Sequence, residues 1–217
     1  MLKSHFPDVA NRISLKIGRF FSRFNLHPNT WTLLSLLFGF LGFSALVQKS
    51  MLLGLMFFII SGFLDAIDGG VARVSRKVSK LGGYLDGIID RINECLLLIG
   101  LMIFGLPNLT ISNVSIPPYI FLALLLFFGS ALVSYSRAYA CQKKIITDEK
   151  TLNKMPGILE RTERLLLIGI GMILYFFNPI FLTWIIFIAF ILSFITFLQR
   201  VFFTIKRARR VKDEGKF

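Results

Sequence analysis

The sequence predicts an all-α integral membrane protein, in which six transmembrane helices follow an amphipathic helix that lies in the membrane interface. Hydrophobic residues make up 55% of the 217 residues and are concentrated in long runs, whereas soluble domains are usually about 45–50% apolar. Most of the 25 Lys and Arg residues lie between or outside those runs, in residues 1–26, 66–83, 141–164 and 200–217. Anionic lipid head groups therefore explain the net charge of +13 better than nucleic acid does.

The first element is an amphipathic helix over residues 8–24. Apolar residues are mixed there with Arg and Lys residues, which is typical of a basic helix lying in the interface. A short soluble helix that caps the bundle would show the same pattern. We place this element and its lead-in at residues 1–26. Pro28 then breaks the chain, and Asn29 or Thr30 is expected to cap the first span.

Six apolar runs follow, and each approaches the roughly 20 residues that a transmembrane helix needs. Short polar turns separate the first two and the last two runs, which makes those helices antiparallel neighbours. By the positive-inside rule, the four basic segments and both termini are cytoplasmic. The transmembrane domain then covers residues 27–203, followed by a basic cytoplasmic tail at 204–217. The runs are residues 31–48, 50–65, 84–106, 117–140, 163–177 and 179–200.

Four aspartates interrupt this pattern where the second and third runs meet the cytoplasm. Asp65 and Asp68 are three residues apart, and Asp86 and Asp90 are four apart, so each pair shares one face of a helix. Carboxylates that face one cavity repel each other unless a cation lies between them. Because no His or Cys accompanies them, oxygen-preferring Mg²⁺ or Mn²⁺ is the expected ion.

Two other interpretations of the aspartates remain. They would be solvated charges that pair with Arg73, Lys77 or Lys80, or they would line a path for protons or sodium. Two matched helical faces argue against the first interpretation, because an acid in a membrane helix normally marks a functional site. The position at the membrane rim argues against the second, since transport sites usually lie near the midplane.

The residues between the two pairs indicate a diphosphate ligand. Gly69 and Gly70 follow Asp68 directly and let a phosphate approach the backbone. Ala72 is small, Arg73 can form a forked contact with a phosphate, and Gly82 again clears space.

This pattern resembles the signature of the CDP-alcohol phosphotransferase family, D-x2-D-G-x2-A-R-x8-G-x3-D-x3-D. The resemblance extends over nearly the whole chain and implies a homodimer in which each protomer binds its own CDP-linked donor. It also implies transfer of a phosphoryl-linked alcohol to an acceptor hydroxyl, with release of CMP. All eight fixed positions match, at Asp65, Asp68, Gly69, Ala72, Arg73, Gly82, Asp86 and Asp90.

The same resemblance assigns roles to individual residues. It implies two metal ions, with Asp65, Asp68 and Asp86 as the main ligands. Asp90 would add to the second ion and act as the general base on the acceptor hydroxyl. The residues expected to bind CDP are Asp65, Asp68, Gly69, Ala72, Arg73, Gly82 and Asp86, with Thr32 and Asn29 nearby.

A second group of residues bears on the acceptor. Arginines lie at the cytoplasmic ends of the last three runs, where each alone would serve to anchor a helix end. Together they predict a basic pocket beside the metals for an acceptor that carries its own phosphate. This arrangement is similar to the inositol-phosphate branch of the family, whose acceptor is inositol 1-phosphate, although Tyr139 stands where that branch often has another Arg. The pocket residues are Ser134, Arg137, Arg161, Arg164 and Arg200.

Several alternatives remain at this point. Glycerol 3-phosphate, serine or choline would be other acceptors, and CDP-inositol would be another donor beside CDP-diacylglycerol or CDP-archaeol. Outside the family, the chain would be a membrane transporter or a scaffold. The expected partners are therefore a CDP-linked lipid, a phosphorylated polyol, membrane lipids and a second copy of the chain, without nucleic acid.

Overall fold

The computed structural model describes residues 16, 18–24, 26–75, 77–111, 113–148, 151, 152 and 154–213. The described residues form helices and one short β-hairpin, which confirms the all-α class. Predicted element 8–24 lies partly outside the described residues. The elements are a 3₁₀ turn at Ser22–Phe24, α1 (Pro28–Val47), α2 (Met51–Val74), α3 (Lys80–Phe104), β1 (Leu109–Ile111), β2 (Val114–Ile116), α4 (Pro118–Gln142), α5 (Arg161–Leu174) and α6 (Pro179–Asp213).

Four helices are long and apolar enough to cross a bilayer within the described part of the chain: α1, α2, α4 and the Pro179–Arg209 part of α6. Of the six predicted runs, the other two correspond to α3 and α5. Charged residues in its first half lower the hydropathy of α3. With 14 residues, α5 is about 21 Å long, shorter than the roughly 30 Å of hydrocarbon. The protein is thus a multi-pass membrane protein.

The chain divides into two compact units, residues 2–106 and residues 107–217. In the first unit, α1 lies at the centre. Both α2 and α3 pack chiefly on α1 and make few contacts with each other. The apolar core of this arrangement includes Trp31, Leu64, Ile67 and Val71.

The segment before α1 packs on the same core. Phe21 contacts Trp31 edge-on, with ring centroids 5.4 Å apart. Gly18 is buried, and a Cβ atom at that position would lie against the backbone carbonyl of Gly70 in α2. A glycine is therefore required where the segment meets α2.

Side chains determine where the helices of the first unit begin and end. Pro28 starts α1, and its cap is His27, whose Nδ1 accepts a hydrogen bond from Asn29 N at 3.3 Å. The expectation that Asn29 or Thr30 caps this helix is wrong. At the other end of the unit, α3 ends at Phe104 and is capped by Gly105, whose φ is 79°. Lys49 Nζ donates to the last carbonyls of α3, including Phe104 O at 2.7 Å.

The second unit is built on α6. Its contacts include α5 and the middle of α4, where Leu125–Leu132 is π-helical. Glycine at position 129 lets α4 approach closely, because a Cβ there would lie 3.1 Å from Ser193 Cβ. The loop predicted between the third and fourth runs contains the β1–β2 hairpin, paired Leu109 to Ile116. The region predicted as a tail after residue 203 continues α6 to Asp213.

Candidate active site

A cleft of about 170 Å³ opens between α1, α2 and the start of α3 in the first unit. It contains residues from all three helices and from the segment that joins α2 to α3. The lining residues are Pro28, Asn29, Thr32, Asp68, Gly69, Ala72, Arg73, Lys77, Val78, Ser79, Gly82, Gly83 and Asp86.

Carboxylates from two helices meet at this cleft. Asp65 and Asp68 lie on α2, which continues well beyond the predicted end at residue 65, and Asp86 lies on α3. Each of the three offers an oxygen within 4.8 Å of the oxygens of the others. Asp68 is buried, and Asp65 and Asp86 are half-buried. The structure thus brings Asp86 of α3 beside the predicted pair Asp65 and Asp68 of α2.

The donor set fits a divalent cation. Three carboxylates this close would repel strongly in partly buried surroundings, and a hard cation between them removes the repulsion. The residues in this group offer only oxygen atoms, which suits Mg²⁺ or Mn²⁺. Asp90 lies one turn further along α3, is half-buried and is not a member of the group.

Small residues keep the cleft open. A Cβ at Gly69 would meet only the end of the Arg73 side chain, at 3.9 Å. Gly82 is tighter, because a Cβ there would lie 3.0 Å from Ser79 Oγ. The Ser79 hydroxyl caps α3 by accepting from Gly82 N at 2.9 Å. Ala72 lines the cleft, and Arg73 lines it with an exposed side chain. All the residues predicted to bind CDP except Asp65 therefore line one space.

Several lining residues have no position in the signature. Pro28, Lys77, Val78 and Ser79 line the cleft in addition to the predicted residues. All but Pro28 lie in the eight-residue spacer of the signature, which has no helical periodicity. The charge of Lys77 is the one signal among these residues, and it is equally expected of a partner for solvated aspartates.

Thr32 lies at the inner wall of the cleft. Its Oγ1 donates to Asp68 Oδ2 at 2.6 Å, and both residues are buried. Its hydroxyl therefore contacts a carboxylate of the predicted cation site, in addition to lining the space expected for CDP.

The arginines predicted for the acceptor lie in the second unit. Arg164 is buried, with 1% of its surface exposed, and Arg200 is also buried at 6%. Arg161 is half-buried and Arg137 is exposed. Buried guanidinium groups are uncommon without an anionic or carbonyl partner, so Arg164 and Arg200 differ from the exposed arginines that anchor helix ends to head groups.

Arg200 makes identifiable contacts. Its Nη1 donates to Val133 O at 2.9 Å, and its Nη2 lies 3.4 Å from Glu160 Oε1. Glu160 is the first residue of a capping box that starts α5, in which Glu163 accepts from Glu160 N. Arg200 thereby connects α4, α6 and the start of α5. The Ser134 hydroxyl donates to Ser130 O within α4, at 2.7 Å.

The start of α5 is also held by Thr196. Its Oγ1 accepts hydrogen bonds from Ile158 N at 3.1 Å and from Leu159 N at 3.0 Å. Because Arg161 and Arg164 follow within two turns, α6 determines where these two arginines lie in the second unit.

Long apolar helices and a carboxylate cleft at the end of one of them define a multi-pass membrane protein with a divalent-cation site. The model of the CDP-alcohol phosphatidyltransferase family matches residues 25–207. The chain belongs to this family of enzymes, and the resemblance seen in the signature is confirmed. Family membership also excludes a mere scaffold or transporter as the class of the protein.

The chain is also similar in sequence to individual members of the family. The chain is 34% identical over 207 residues to the archaetidylinositol phosphate synthase of Pyrococcus horikoshii, with 95% of this chain and 98% of that protein covered. It is 35% identical over 181 residues to the bifunctional IPC transferase and DIPP synthase of Archaeoglobus fulgidus. That match covers 82% of this chain but only 32% of the longer relative.

The fold is shared with solved structures of the phosphatidylinositol phosphate synthase of Mycobacterium tuberculosis. One of them, with CDP-DAG bound, has a TM-score of 0.71 and 24% identity, and covers 89% of this chain and 94% of that chain. Another, in complex with manganese and citrate, has a TM-score of 0.71 and 22% identity, and covers 88% of each chain.

Proposed function

We propose that this protein transfers the phosphoryl-linked lipid alcohol of a CDP-linked lipid, CDP-diacylglycerol or CDP-archaeol, to a hydroxyl of inositol 1-phosphate and releases CMP. The observation that carries the proposal is the group of three carboxylates from α2 and α3 in a cleft lined by the small residues of the signature. The inositol 1-phosphate acceptor is supported by near-full-length similarity to the Pyrococcus synthase.

The donor diphosphate binds in the cleft. Asp65, Asp68 and Asp86 would hold a divalent ion, and Asp90 would add to the ligands of a second one. A bound cation supplies neutralisation of the diphosphate charge and makes CMP a better leaving group. Gly69 and Gly82 leave space for the diphosphate to approach the helix backbones, and Arg73 adds a positive charge at the mouth of the cleft.

The chemical step is a displacement at phosphorus. Asp90 takes the proton of the acceptor hydroxyl while the hydroxyl oxygen forms a bond to the phosphorus that carries the lipid alcohol. The phosphoanhydride bond of that phosphorus breaks, and CMP leaves with the bonding electron pair. Mass and charge balance without any further reactant.

The phosphate of the acceptor binds to the arginines of the second unit. Arg164 and Arg200 are supported by their burial, and Arg137, Arg161 and Ser134 belong to the same set. An arginine fork and a phosphate form short charge-assisted hydrogen bonds, which favour a phosphorylated acceptor over a neutral alcohol.

The proposal includes the arrangement in the membrane. The protein has six spans, with both termini and the active site on the cytoplasmic face, and it forms a homodimer. The distribution of basic residues supports the orientation, and the family resemblance supports the dimer. Reaction of an introduced single cysteine at each loop with a membrane-impermeant reagent tests the orientation. Labelling of the 107–117 loop only from the cytoplasmic side would contradict it.

The activity is tested on the purified protein in detergent with Mn²⁺ or Mg²⁺. We expect CMP release from the CDP-lipid with inositol 1-phosphate, and little with free inositol or glycerol 3-phosphate. Asp90→Asn serves as the control that should release no CMP. Equal rates with free inositol would contradict the phosphate-binding role of the arginines, and no release with any acceptor would contradict the enzyme assignment itself.

A second candidate function uses a different CDP-linked donor. Similarity to the bifunctional Archaeoglobus protein over 82% of this chain favours CDP-inositol as an alternative donor. The same assay distinguishes the two, because CMP release from CDP-inositol and inositol 1-phosphate in the absence of lipid would support the second candidate.

A further inference from the structure

The central helix α1 determines how the two halves of the carboxylate group are placed. Asp65 and Asp68 belong to α2, whereas Asp86 belongs to α3. These two helices make few contacts with each other, and both pack mainly on α1. The spacing of the carboxylates therefore depends on how α1 holds each helix.

Polar side chains in the buried part of the unit make those attachments. Ser61 of α2 donates to Ser35 O of α1 at 2.8 Å, and Asn93 Nδ2 of α3 lies 3.4 Å from Ser35 Oγ. Glycine at position 39 makes room for the Asn93 amide, because a Cβ there would overlap its oxygen. Ser35 in turn donates to Thr32 O at 2.8 Å. Hydrogen bonds of this kind, buried between apolar helices, fix helix register because breaking them leaves unsatisfied polar groups.

One of these attachments reaches an aspartate of the site. Thr32 Oγ1 lies 2.6 Å from Asp68 Oδ2 and 3.4 Å from Pro28 O. A hydroxyl has a single proton to donate, and the shorter distance is that of a charge-assisted O–H···O⁻ bond, about 2.5–2.7 Å. The proton of Thr32 therefore points to Asp68.

We propose that Thr32, besides lining the cleft, is a positioning residue that fixes the carboxylate of Asp68 for the divalent cation. This inference rests on the proposed function, since it requires that the carboxylates hold a cation. The bond to Oδ2 fixes the rotation of the carboxylate and leaves its other oxygen for the ion. Threonine suits this task because its branched Cβ restricts χ1.

The test compares four purified proteins: the parent, Thr32→Val, Thr32→Ser and Thr30→Val. Binding of Mn²⁺ is measured directly by electron paramagnetic resonance of the free ion, without substrates. We expect Thr32→Val to bind Mn²⁺ about 10- to 100-fold more weakly, as is typical when a hydrogen-bond partner of a metal ligand is lost. Thr32→Ser should bind much like the parent, because it keeps the hydroxyl. Thr30→Val makes the same chemical change one half-turn away and should bind like the parent.

The outcomes separate the inference from the function on which it rests. Parent-like Mn²⁺ binding by Thr32→Val overturns the inference while the proposed function stands. Weak binding by Thr32→Ser also overturns it, because the hydroxyl is then not the cause. Failure of the parent to bind Mn²⁺ overturns both. If Thr32→Val is not recovered folded, Thr32→Ala is used for the same comparison, with circular dichroism as the measure of folding.

Activity supplies a second readout. The Mn²⁺ concentration for half-maximal activity should rise in Thr32→Val, whereas the KM for inositol 1-phosphate at saturating Mn²⁺ should not change. A higher KM for the acceptor with an unchanged Mn²⁺ requirement would contradict a role through Asp68.

Discussion

Thr196 of α6 offers the sharpest test of how the second unit places its arginines. Its hydroxyl accepts from Ile158 N and Leu159 N, at 3.1 and 3.0 Å, and donates to Leu192 O at 2.9 Å. Valine has nearly the same shape, so Thr196→Val removes these bonds and leaves the packing of the side chain in place.

The expected loss of stability follows from the burial of the donors. The bond from Leu159 N is buried, and that from Ile158 N is partly buried. A buried donor left without a partner costs about 1–3 kcal/mol. Loss of the buried bond from Leu159 N should therefore cost most of that range, and loss of the partly buried bond from Ile158 N a smaller part. Thr196→Val should lower the free energy of unfolding by about 2–4 kcal/mol.

The substitution should also affect the acceptor. Release of the segment before α5 lets Arg161 and Arg164 move, which raises the KM for inositol 1-phosphate and leaves the KM for the CDP-lipid unchanged. The assays are thermal unfolding in detergent and steady-state CMP release.

Thr204→Val is the matched control, because the Thr204 hydroxyl donates only to Arg200 O in its own helix among the contacts found. It should change stability and KM little. An unfolding temperature for Thr196→Val equal to that of Thr204→Val would refute the reasoning, and so would an equal rise in KM for both substrates.

Three further predictions concern single residues. Arg164→Ala should raise the KM for inositol 1-phosphate by about 10- to 100-fold, the worth of a charged hydrogen bond; an equal loss with free inositol in a CMP-release assay would contradict a phosphate contact. Gly18→Ala places a methyl group against the Gly70 carbonyl and should displace the N-terminal segment. The free energy of unfolding should fall by about 1–3 kcal/mol, and the fluorescence of Trp31 should shift. An unchanged spectrum and unfolding temperature would contradict this contact. Lys49→Met removes the ammonium that caps α3 and should cost about 1–3 kcal/mol in unfolding while the activity of the folded protein stays unchanged; a loss of activity without a loss of stability would be the contrary result.

Much of the site could be predicted from the spacing of its residues along the sequence. A helix places residues three or four apart on one face, so the pairs of aspartates could be assigned without any tertiary information. The small residues and Arg73 follow at fixed intervals on the same helices, and the structure places them around one cleft. The apolar runs were readable for the same reason, because transmembrane length depends only on local composition.

Errors and omissions occurred where a contact joins distant parts of the chain or where backbone geometry lacks a period. His27 rather than Asn29 caps α1, because the choice depends on the backbone conformation just before Pro28. Lys77 and Ser79 lie in a spacer without periodicity, so only the course of the chain between α2 and α3 brings them to the cleft.

Composition and short-range spacing are enough to assign the chain to this membrane enzyme family. They also place carboxylates on two helices and arginines near the ends of others. The structure is needed to show that α1 holds both carboxylate helices, that Thr32 binds Asp68 and that Arg200 binds Val133 and Glu160. Those contacts join residues 36, 67 and 40 positions apart, and no periodic pattern encodes which buried donor meets which acceptor, because packing selects the pair.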